Sequence, residues 1–133
     1  MYGYYDLPKE VSGKELVDIL YKASSEMGFW FRNLNADLVH LYGLKSMRDD
    51  KESKSSARYR ADKSYPEKRN PLVLDTTPTL AVNFFDIDLN ARYSSVRFQA
   101  ALGTRRLQEV DINQYSEFKP DYDAFLAKVK ELF

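Results

Sequence analysis

The chain has 133 residues, with 20 basic and 20 acidic side chains and no cysteine. We expect a single domain, 1–133, because separate cores appear only in longer chains. The absence of cysteine excludes disulfide scaffolds, thiol catalysis and cysteine zinc sites, and it is typical of a reducing compartment, which predicts the cytoplasm. No run approaches the roughly 18 apolar residues of a membrane-spanning helix, and the start has no signal-peptide pattern, so we expect no membrane association.

An amphipathic helix is predicted near the start of the chain. Ser12 and Glu15 have the spacing of a capping box, in which the serine hydroxyl accepts a hydrogen bond from the backbone N–H three residues later. Gly28 is a typical stop signal. Between them one apolar stripe recurs at helical spacing: Leu16, Ile19, Leu20, Ala23 and Met27.

The aromatic run Phe29, Trp30 and Phe31 has neither a helical nor an alternating period. Such a run fits either a short buried strand or the continuation of a helix. We favour a bend into a second helix capped by Asn35 or Asp37, which would complete an N-terminal helix pair.

Residues 45–70 contain no Leu, Ile, Val, Phe or Trp, and five of the 26 are serine. Nine of them are basic and five acidic, which gives a local charge of +4 in a chain whose net charge is zero. A stretch without large apolar side chains is not expected to contribute to a core. We therefore predict a polar basic loop that is either a linker or a segment ordered by a partner.

Beyond residue 70 the pattern changes to that of β-structure. We expect strands at 71–75, 80–89, 92–102 and 105–112, the third with one buried face because its apolar residues alternate with polar ones. A C-terminal helix then follows, with the stripe Tyr122, Phe125, Leu126, Val129 and Leu132. The predicted fold class is α+β: an antiparallel sheet of three to four strands (about 71–112) packed against an N-terminal helix pair and a C-terminal helix.

Asp86 and Asp88 form the sharpest chemical pattern in the sequence. Residues two apart on a strand face the same way, so these carboxylates are predicted to lie about 7 Å apart, where they can hold Mg²⁺. The run of hydrophobic residues and aspartates resembles the metal-binding strand of primases and other phosphoryl-transfer enzymes, with Asp75 as a third candidate ligand. Because the likeness covers only about five residues, we favour solvated carboxylates and expect no metal, no cofactor and no enzyme activity.

Tyrosine and arginine are the residue types that dominate interaction hot spots. The chain has ten tyrosines, several of them beside basic residues outside the predicted core. The candidate partner-binding residues are Tyr2, Tyr4, Tyr5, Arg58, Tyr59, Arg60, Lys63, Tyr65, Lys68, Arg69, Tyr93 and Arg97.

These residues predict a small non-enzymatic interaction protein, such as an inhibitor, an immunity protein, an adaptor or an assembly subunit. Its expected partner is a protein with an acidic surface, and a second copy of the chain is another candidate. The alternative is a single-stranded nucleic-acid-binding protein that uses the basic 45–70 loop and a sheet face carrying Tyr93 and Arg97. The zero net charge weighs against this alternative, because nucleic-acid-binding proteins usually have a basic excess.

Overall fold

Within the described residues of the computed structural model, which are 3–34, 56–69, 72 and 77–133, six antiparallel strands form one sheet and two α-helices pack on it. In chain order the elements are β1 (Gly3–Ser12), α1 (Gly13–Met27), β2 (Trp30–Asn33), β3 (Ser56–Ser64), β4 (Thr79–Asp88), β5 (Arg92–Gly103), β6 (Leu107–Glu109) and α2 (Lys119–Glu131). Short 3-10 turns lie at Pro66–Lys68 and Ile112–Gln114.

The strands are arranged in the order β1-β5-β4-β3-β2. Strand β6 pairs with the last residues of β5, Ala101–Gly103. Because β4 pairs with the other side of β5 there, β6 lies on the same side of β5 as β1, which pairs with its first half. Although β1 and β2 are consecutive strands, they lie at opposite edges of the sheet. Helix α1, which joins them, therefore crosses one face of the sheet.

Helix α1 has the boundaries that the capping signals predict. The Ser12 hydroxyl accepts a hydrogen bond from the Glu15 backbone N–H at 3.1 Å, and Gly28 ends the helix with a left-handed φ of 76°. Leu16, Leu20 and Ala23 are buried. The local cap and the apolar stripe thus act together, which confirms the predicted helix.

The core lies between the two helices and one face of the sheet. Phe125 of α2 is fully buried, and its ring centroid lies 4.8 Å from that of Phe29 and 6.2 Å from that of Phe84 on β4. Tyr122 of α2 packs near Phe98 on β5. The predicted C-terminal helix is confirmed. On β5, Val96 and Ala100 are buried as the predicted alternation requires, but Gln99 and Ala101 on the opposite face are buried as well.

The prediction of a three- to four-stranded sheet with an N-terminal helix pair is wrong. The described residues hold six strands, with one helix before β2 and one after β6. Instead of bending into a helix, the chain at Trp30–Asn33 extends beside β3, because the Phe31 ring gains a parallel stack on Tyr59 at 5.5 Å. The proposed caps Asn35 and Asp37 lie outside the described residues, as does the predicted strand at 71–75 except for the exposed Leu72.

The prediction of a polar loop at 45–70 is also wrong for its second half. Strand β3 occupies Ser56–Ser64 and pairs with both β2 and β4. Its alternate residues Tyr59 and Ala61 belong to the core, and so does Tyr65 just beyond it. Residues 45–55 lie outside the described part of the chain.

Among the residues that the structure describes, no helix is long and apolar enough to cross a membrane. The protein is a small single α+β domain.

Candidate interaction surface

The sheet has a second face, turned away from α1 and α2, which we call the open face. Side chains alternate between the two faces of a strand, and residues paired across neighbouring strands share a face. Because Phe84 of β4 points to the helices, Asn83 and Phe85 point to the open face. Their cross-strand partners on β3 and β5 lie on that face with them.

A polar row crosses the open face through Arg60, Asn83 and Gln99, which are direct partners in the sheet register. The Arg60 Nε atom donates to Asn83 Oδ1 at 2.7 Å. The Gln99 Nε2 atom donates to the backbone carbonyls of Ala100 and Val110, both at 3.0 Å, which ties the chain after β6 to β5. Within the described residues, Gln99 Oε1 is the one buried side-chain polar atom without a hydrogen-bond partner.

A second row pairs arginines with an aromatic ring. The guanidinium carbons of Arg58 and Arg97 lie 4.5 and 5.0 Å from the centroid of the Phe85 ring. Arg97 also pairs with Asp86 at 2.8 Å and lies opposite Tyr4 of β1 in the register. Tyr4 is 69% exposed, so this row ends in an accessible aromatic side chain at the β1 edge.

The third row begins at the β2 edge with Trp30, which is 65% exposed. The guanidinium carbon of Arg32 lies 4.1 Å from its ring centroid, and Arg32 donates to Asp62 through Nε at 3.2 Å and a terminal nitrogen at 2.8 Å. Asp62, the direct partner of Trp30, is almost fully buried. The buried carboxylate thus fixes the guanidinium against the indole.

Trp30 also borders a groove of about 290 Å³ on the open face, which we call the arginine groove. The charged side chains that line it are Arg32, Arg60, Arg105 and Asp62. Among these described side chains, Asp62 is paired with Arg32. Arginine is thus the prevailing charged residue type among the described residues that line the groove.

A β-bulge lies at Asp86, the first residue of the predicted carboxylate pair Asp86 and Asp88. Ala57 is paired with Ile87 and Tyr59 with Phe84, so one residue of β3 faces two of β4, and Asp86 takes a left-handed φ of 57°. The extra residue interrupts the regular alternation of β4 just before Ile87, so the backbone at Asp86 differs from the regular strand that the prediction assumes.

Each of the two carboxylates has its own contacts. Asp86 pairs with Arg97, whereas Asp88 Oδ1 accepts from the Asn90 backbone N–H in the next turn. Asp75 and the sole histidine, His40, lie outside the described residues. The described residues hold no group of three or more His, Asp or Glu side chains that could bind a metal ion.

The structure divides the predicted partner-binding residues between the open face, the core and the remaining surface. Arg58, Arg60 and Arg97 lie on the open face with Tyr4, whereas Tyr59 and Tyr65 are buried in the core. A strand sends neighbouring residues to opposite faces, which is why Tyr59 is separated from the arginines on either side of it. We therefore do not propose Tyr59 and Tyr65 again as contacts.

The remaining predicted residues are engaged locally or lie elsewhere. Tyr5 packs edge-on against Phe98. The Tyr93 hydroxyl accepts from the Asp88 N–H at 2.6 Å and donates to the Asp86 carbonyl at 3.1 Å, which braces the bulge. The other predicted residues are Lys63 and Lys68, each in an ion pair, Arg69, which is exposed, and Tyr2, which lies outside the described residues.

Sequence reasoning missed Trp30, Arg32 and Arg105 as surface residues. The sequence analysis favours a bend into a helix at Trp30, whereas pairing with β3 places it in a strand with its ring on the open face. A Trp and an Arg two residues apart share a face of a strand, and this was the signal that could have found them.

A hydrogen-bonded cluster joins β3 and its following turn to α2. The Tyr65 hydroxyl donates to Asp121 Oδ2 at 2.6 Å, and Lys63 Nζ pairs with the same oxygen at 3.2 Å. The Tyr65 hydroxyl and the Lys63 ammonium hold the pKa of Asp121 below its usual value, against the opposing effect of burial. Burial and the neighbouring carboxylate raise the pKa of Tyr65.

This cluster predicts an acid-sensitive contribution to stability. A carboxyl group whose pKa is lowered in the folded state stabilises that state above its unfolded pKa of 3.8, and the contribution is lost as pH falls toward the folded pKa. We expect the Asp121→Asn variant to lack this pH-dependent contribution to stability. Its melting temperature should therefore fall less steeply below pH 4 than that of the parent protein. Thermal melts between pH 6 and 2 measure the effect. If the melting temperatures of both proteins fell in parallel below pH 4, the pKa of Asp121 would not be lowered in the folded state.

No family model and no curated protein matches the chain. A solved structure, that of a DUF4468 family protein from Bacteroides ovatus, is similar at 12% identity, with 99% of this chain and 76% of that chain covered. The TM-score of this comparison is 0.27, too low to carry an argument about fold or function.

Proposed function

We propose that this protein is a small non-enzymatic binding module and that the open face holds its partner, a protein with an acidic surface. The observation that carries the proposal is Trp30, an indole 65% exposed with the Arg32 guanidinium stacked on it beside an arginine-lined groove. The cytoplasm remains the proposed location, on the absence of cysteine.

The residue types on the open face support this proposal. Trp, Tyr and Arg provide a large contact area at a small cost in ordering, and they account for most of the binding energy in measured interfaces. Trp30 and Tyr4 lie at opposite edges of the sheet, with Arg58, Arg60 and Arg97 on the strands between them. A salt bridge of Arg97, a hydrogen bond of Arg60 and the contact of Arg58 with Phe85 hold these side chains against the sheet, which lowers the entropy that they lose on binding.

Single-stranded nucleic acid is the second candidate partner. The observation that favours it is the exposed indole on an arginine-bearing sheet, because bases stack on such rings and arginines pair with phosphates. We favour a protein partner over nucleic acid because the net charge is zero and the open face carries two acidic residues, Asp62 and Asp86.

Photo-crosslinking tests the proposal at the residue that carries it. We expect a photoreactive phenylalanine analogue in place of Trp30 to capture one discrete protein in extract from the native host. The same analogue in place of Tyr21, an exposed aromatic residue of α1, is the matched control and should not capture that protein. A nuclease-sensitive adduct at position 30 would instead identify nucleic acid as the partner.

Once the captured partner is purified, Trp30→Ala should weaken its binding by about 30-fold, since truncation of a hot-spot residue costs about 2 kcal/mol. The melting temperature should hardly change, because the side chain is mostly exposed. Titration calorimetry and a thermal melt of the same variant separate the two effects. If Trp30→Ala and the parent protein bound the partner with equal affinity, the open face would not be the binding site.

A further inference from the structure

A cavity lies at the edge of β5, in the gap between β1 and β6. The register pairs β1 with β5 as far as Phe98, and β6 begins its pairing at Ala101. Within the described residues, no strand therefore pairs with Gln99 and Ala100 on this side of β5. The cavity in this gap has a volume of about 250 Å³ and extends to Tyr122 of α2. We call it the edge cavity, and none of its described lining residues lines the arginine groove.

Gln99 brings an unsatisfied hydrogen-bond acceptor to the wall of the edge cavity. The residue is 4% exposed, and its Oε1 atom is the one buried side-chain polar atom of the described residues that has no hydrogen-bond partner. Its Nε2 atom donates to the carbonyls of Ala100 and Val110, so a reversed amide would place Oε1 against two carbonyl oxygens. A buried acceptor without a partner is unfavourable, and a ligand that donates to it would remove that cost.

The walls of the edge cavity are mainly apolar. The rings of Phe98 and Tyr122 both line it, with their centroids 6.5 Å apart and their planes tilted by 32°. The aliphatic wall residues are Ala100, Val110 and Ile112. Such walls favour a flat aromatic ligand, which packs on rings in offset or edge-on geometry. The volume lies just below the roughly 300–1,000 Å³ of sites for drug-sized molecules, which indicates a smaller ligand.

Two exposed carboxylates, Asp111 and Asp123, give the mouth of the edge cavity a negative charge. Asp123 pairs with Lys119 at 2.6 Å along α2. Asp111 Oδ1 accepts from the Asn113 backbone N–H at 3.1 Å, and within the described residues Asp111 has no ion pair. No basic side chain is among the described residues that line the cavity, and the hydrogen bonds and ion pairs of these residues join partners that the structure describes. The mouth is therefore suited to a cation.

We propose that the edge cavity binds a small aromatic amine that also carries a hydroxyl group. The ammonium group pairs with Asp111 and Asp123, and the aromatic ring packs against Phe98 and Tyr122. The hydroxyl group donates to Gln99 Oε1. The charged end belongs at the mouth, because an ammonium group buried at Gln99 would exchange its hydration for a single acceptor. The inference goes beyond the proposed function, since it concerns a small ligand at a site that is separate from the arginine groove.

Three compounds of similar shape test the two polar contacts. Tyramine has the hydroxyl and the ammonium group, phenethylamine lacks the hydroxyl, and 4-hydroxyphenethyl alcohol lacks the ammonium. We expect tyramine to bind about tenfold more tightly than either of the others, because each lacks one hydrogen-bonded contact. Titrations followed by the amide NMR signals of the labelled protein measure the three affinities. The signals should shift at 98–100 and 110–113 but not at 30–32, which lie at the far edge of the sheet.

Variants of the cavity assign each contact to a side chain. Gln99→Leu should remove the advantage of tyramine over phenethylamine while phenethylamine still binds. Asp111→Asn should weaken tyramine binding by about threefold, the size of an exposed ion pair, and leave the affinity for the uncharged alcohol unchanged. Asp18→Asn is the matched control, an equal charge change at an exposed residue of α1 that does not line the cavity, and should bind tyramine like the parent protein. Thermal melts verify that each variant is folded.

Several results would overturn the inference, and the first two need no variant. Equal affinities of the parent protein for tyramine and phenethylamine would exclude the contact with Gln99. Tyramine binding that shifts signals away from the edge cavity, or that does not saturate, would be adventitious association only. Equal effects of Asp111→Asn and Asp18→Asn would exclude the ion pair at the mouth. The crosslink at position 30 does not depend on any of these results, so failure here would leave the proposed function intact.

Discussion

Tyr59→Ala is expected to destabilise the protein by about 3–5 kcal/mol, the range for removing a buried aromatic side chain. Tyr59 is 7% exposed, and its ring stacks on Phe31 with an angle of 8° between the planes. Its removal would leave a cavity between β3 and β2 and would weaken the contact that holds the short edge strand in place. In a domain of this size the melting temperature should fall by roughly 10–20 °C.

The neighbouring residue provides the control for this prediction. Arg58 is exposed on the opposite face of β3 and contacts the ring of Phe85. Arg58→Ala should cost only about 1 kcal/mol, the size of a cation–π contact. Urea unfolding of both variants measures the difference. A neutral Tyr59→Ala would mean that the segment 56–64 is a loop in solution rather than a central strand.

The elements that sequence reasoning predicted correctly have signals within a few neighbouring residues. The cap at Ser12, the stop at Gly28 and the stripe between them are local, and together they specify α1. Strands β4 and β5 have long runs of apolar or alternating residues, and α2 has a clear stripe. In each of these elements local preference and tertiary packing agree.

Strand β3 was missed because its buried face consists of small and amphipathic residues. Ala57, Tyr59 and Ala61 alternate with polar residues in a regular strand pattern. A count restricted to Leu, Ile, Val, Phe and Trp does not register this face. The tyrosine supplies the large apolar area there, while its hydroxyl makes it resemble a surface residue in the sequence.

The open face could be predicted only in part, because its contacts join residues far apart in the chain. The arginines of β3 and β5 are predicted as candidate binding residues from their type alone. Trp30 and Arg32 reach the same face through pairing with β3, about 30 residues later, and no local pattern encodes that pairing. The bulge at Asp86 was equally invisible, since it depends on how β4 meets β3.

Gly13→Ala is expected to destabilise the protein, although the same change inside a helix normally stabilises it by about 1 kcal/mol. Gly13 is the first residue of α1, and its backbone N–H donates to the Ala91 carbonyl at 2.8 Å. A Cβ atom added there would lie 1.9 Å from the Asp88 carbonyl oxygen and 2.9 Å from the Leu89 Cα atom. Both atoms belong to the backbone of the β4–β5 connection and cannot move aside as a side chain can.

The clash should therefore exceed the gain in helix propensity, with a net loss of about 3 kcal/mol, the upper end of the usual cost of overpacking. Gly28→Ala is the comparison at the other end of α1: its φ is 76°, but no atom lies within 4 Å of the added Cβ, so only the cost of about 1 kcal/mol for a left-handed alanine applies. Urea unfolding gives both values. Hydrogen exchange of the backbone amides at positions 13 and 14 should be faster in the Gly13→Ala variant than in the parent protein. If Gly13→Ala proves neutral or stabilising, the start of α1 does not dock on the β4–β5 turn, and the path by which α1 crosses the sheet must be different.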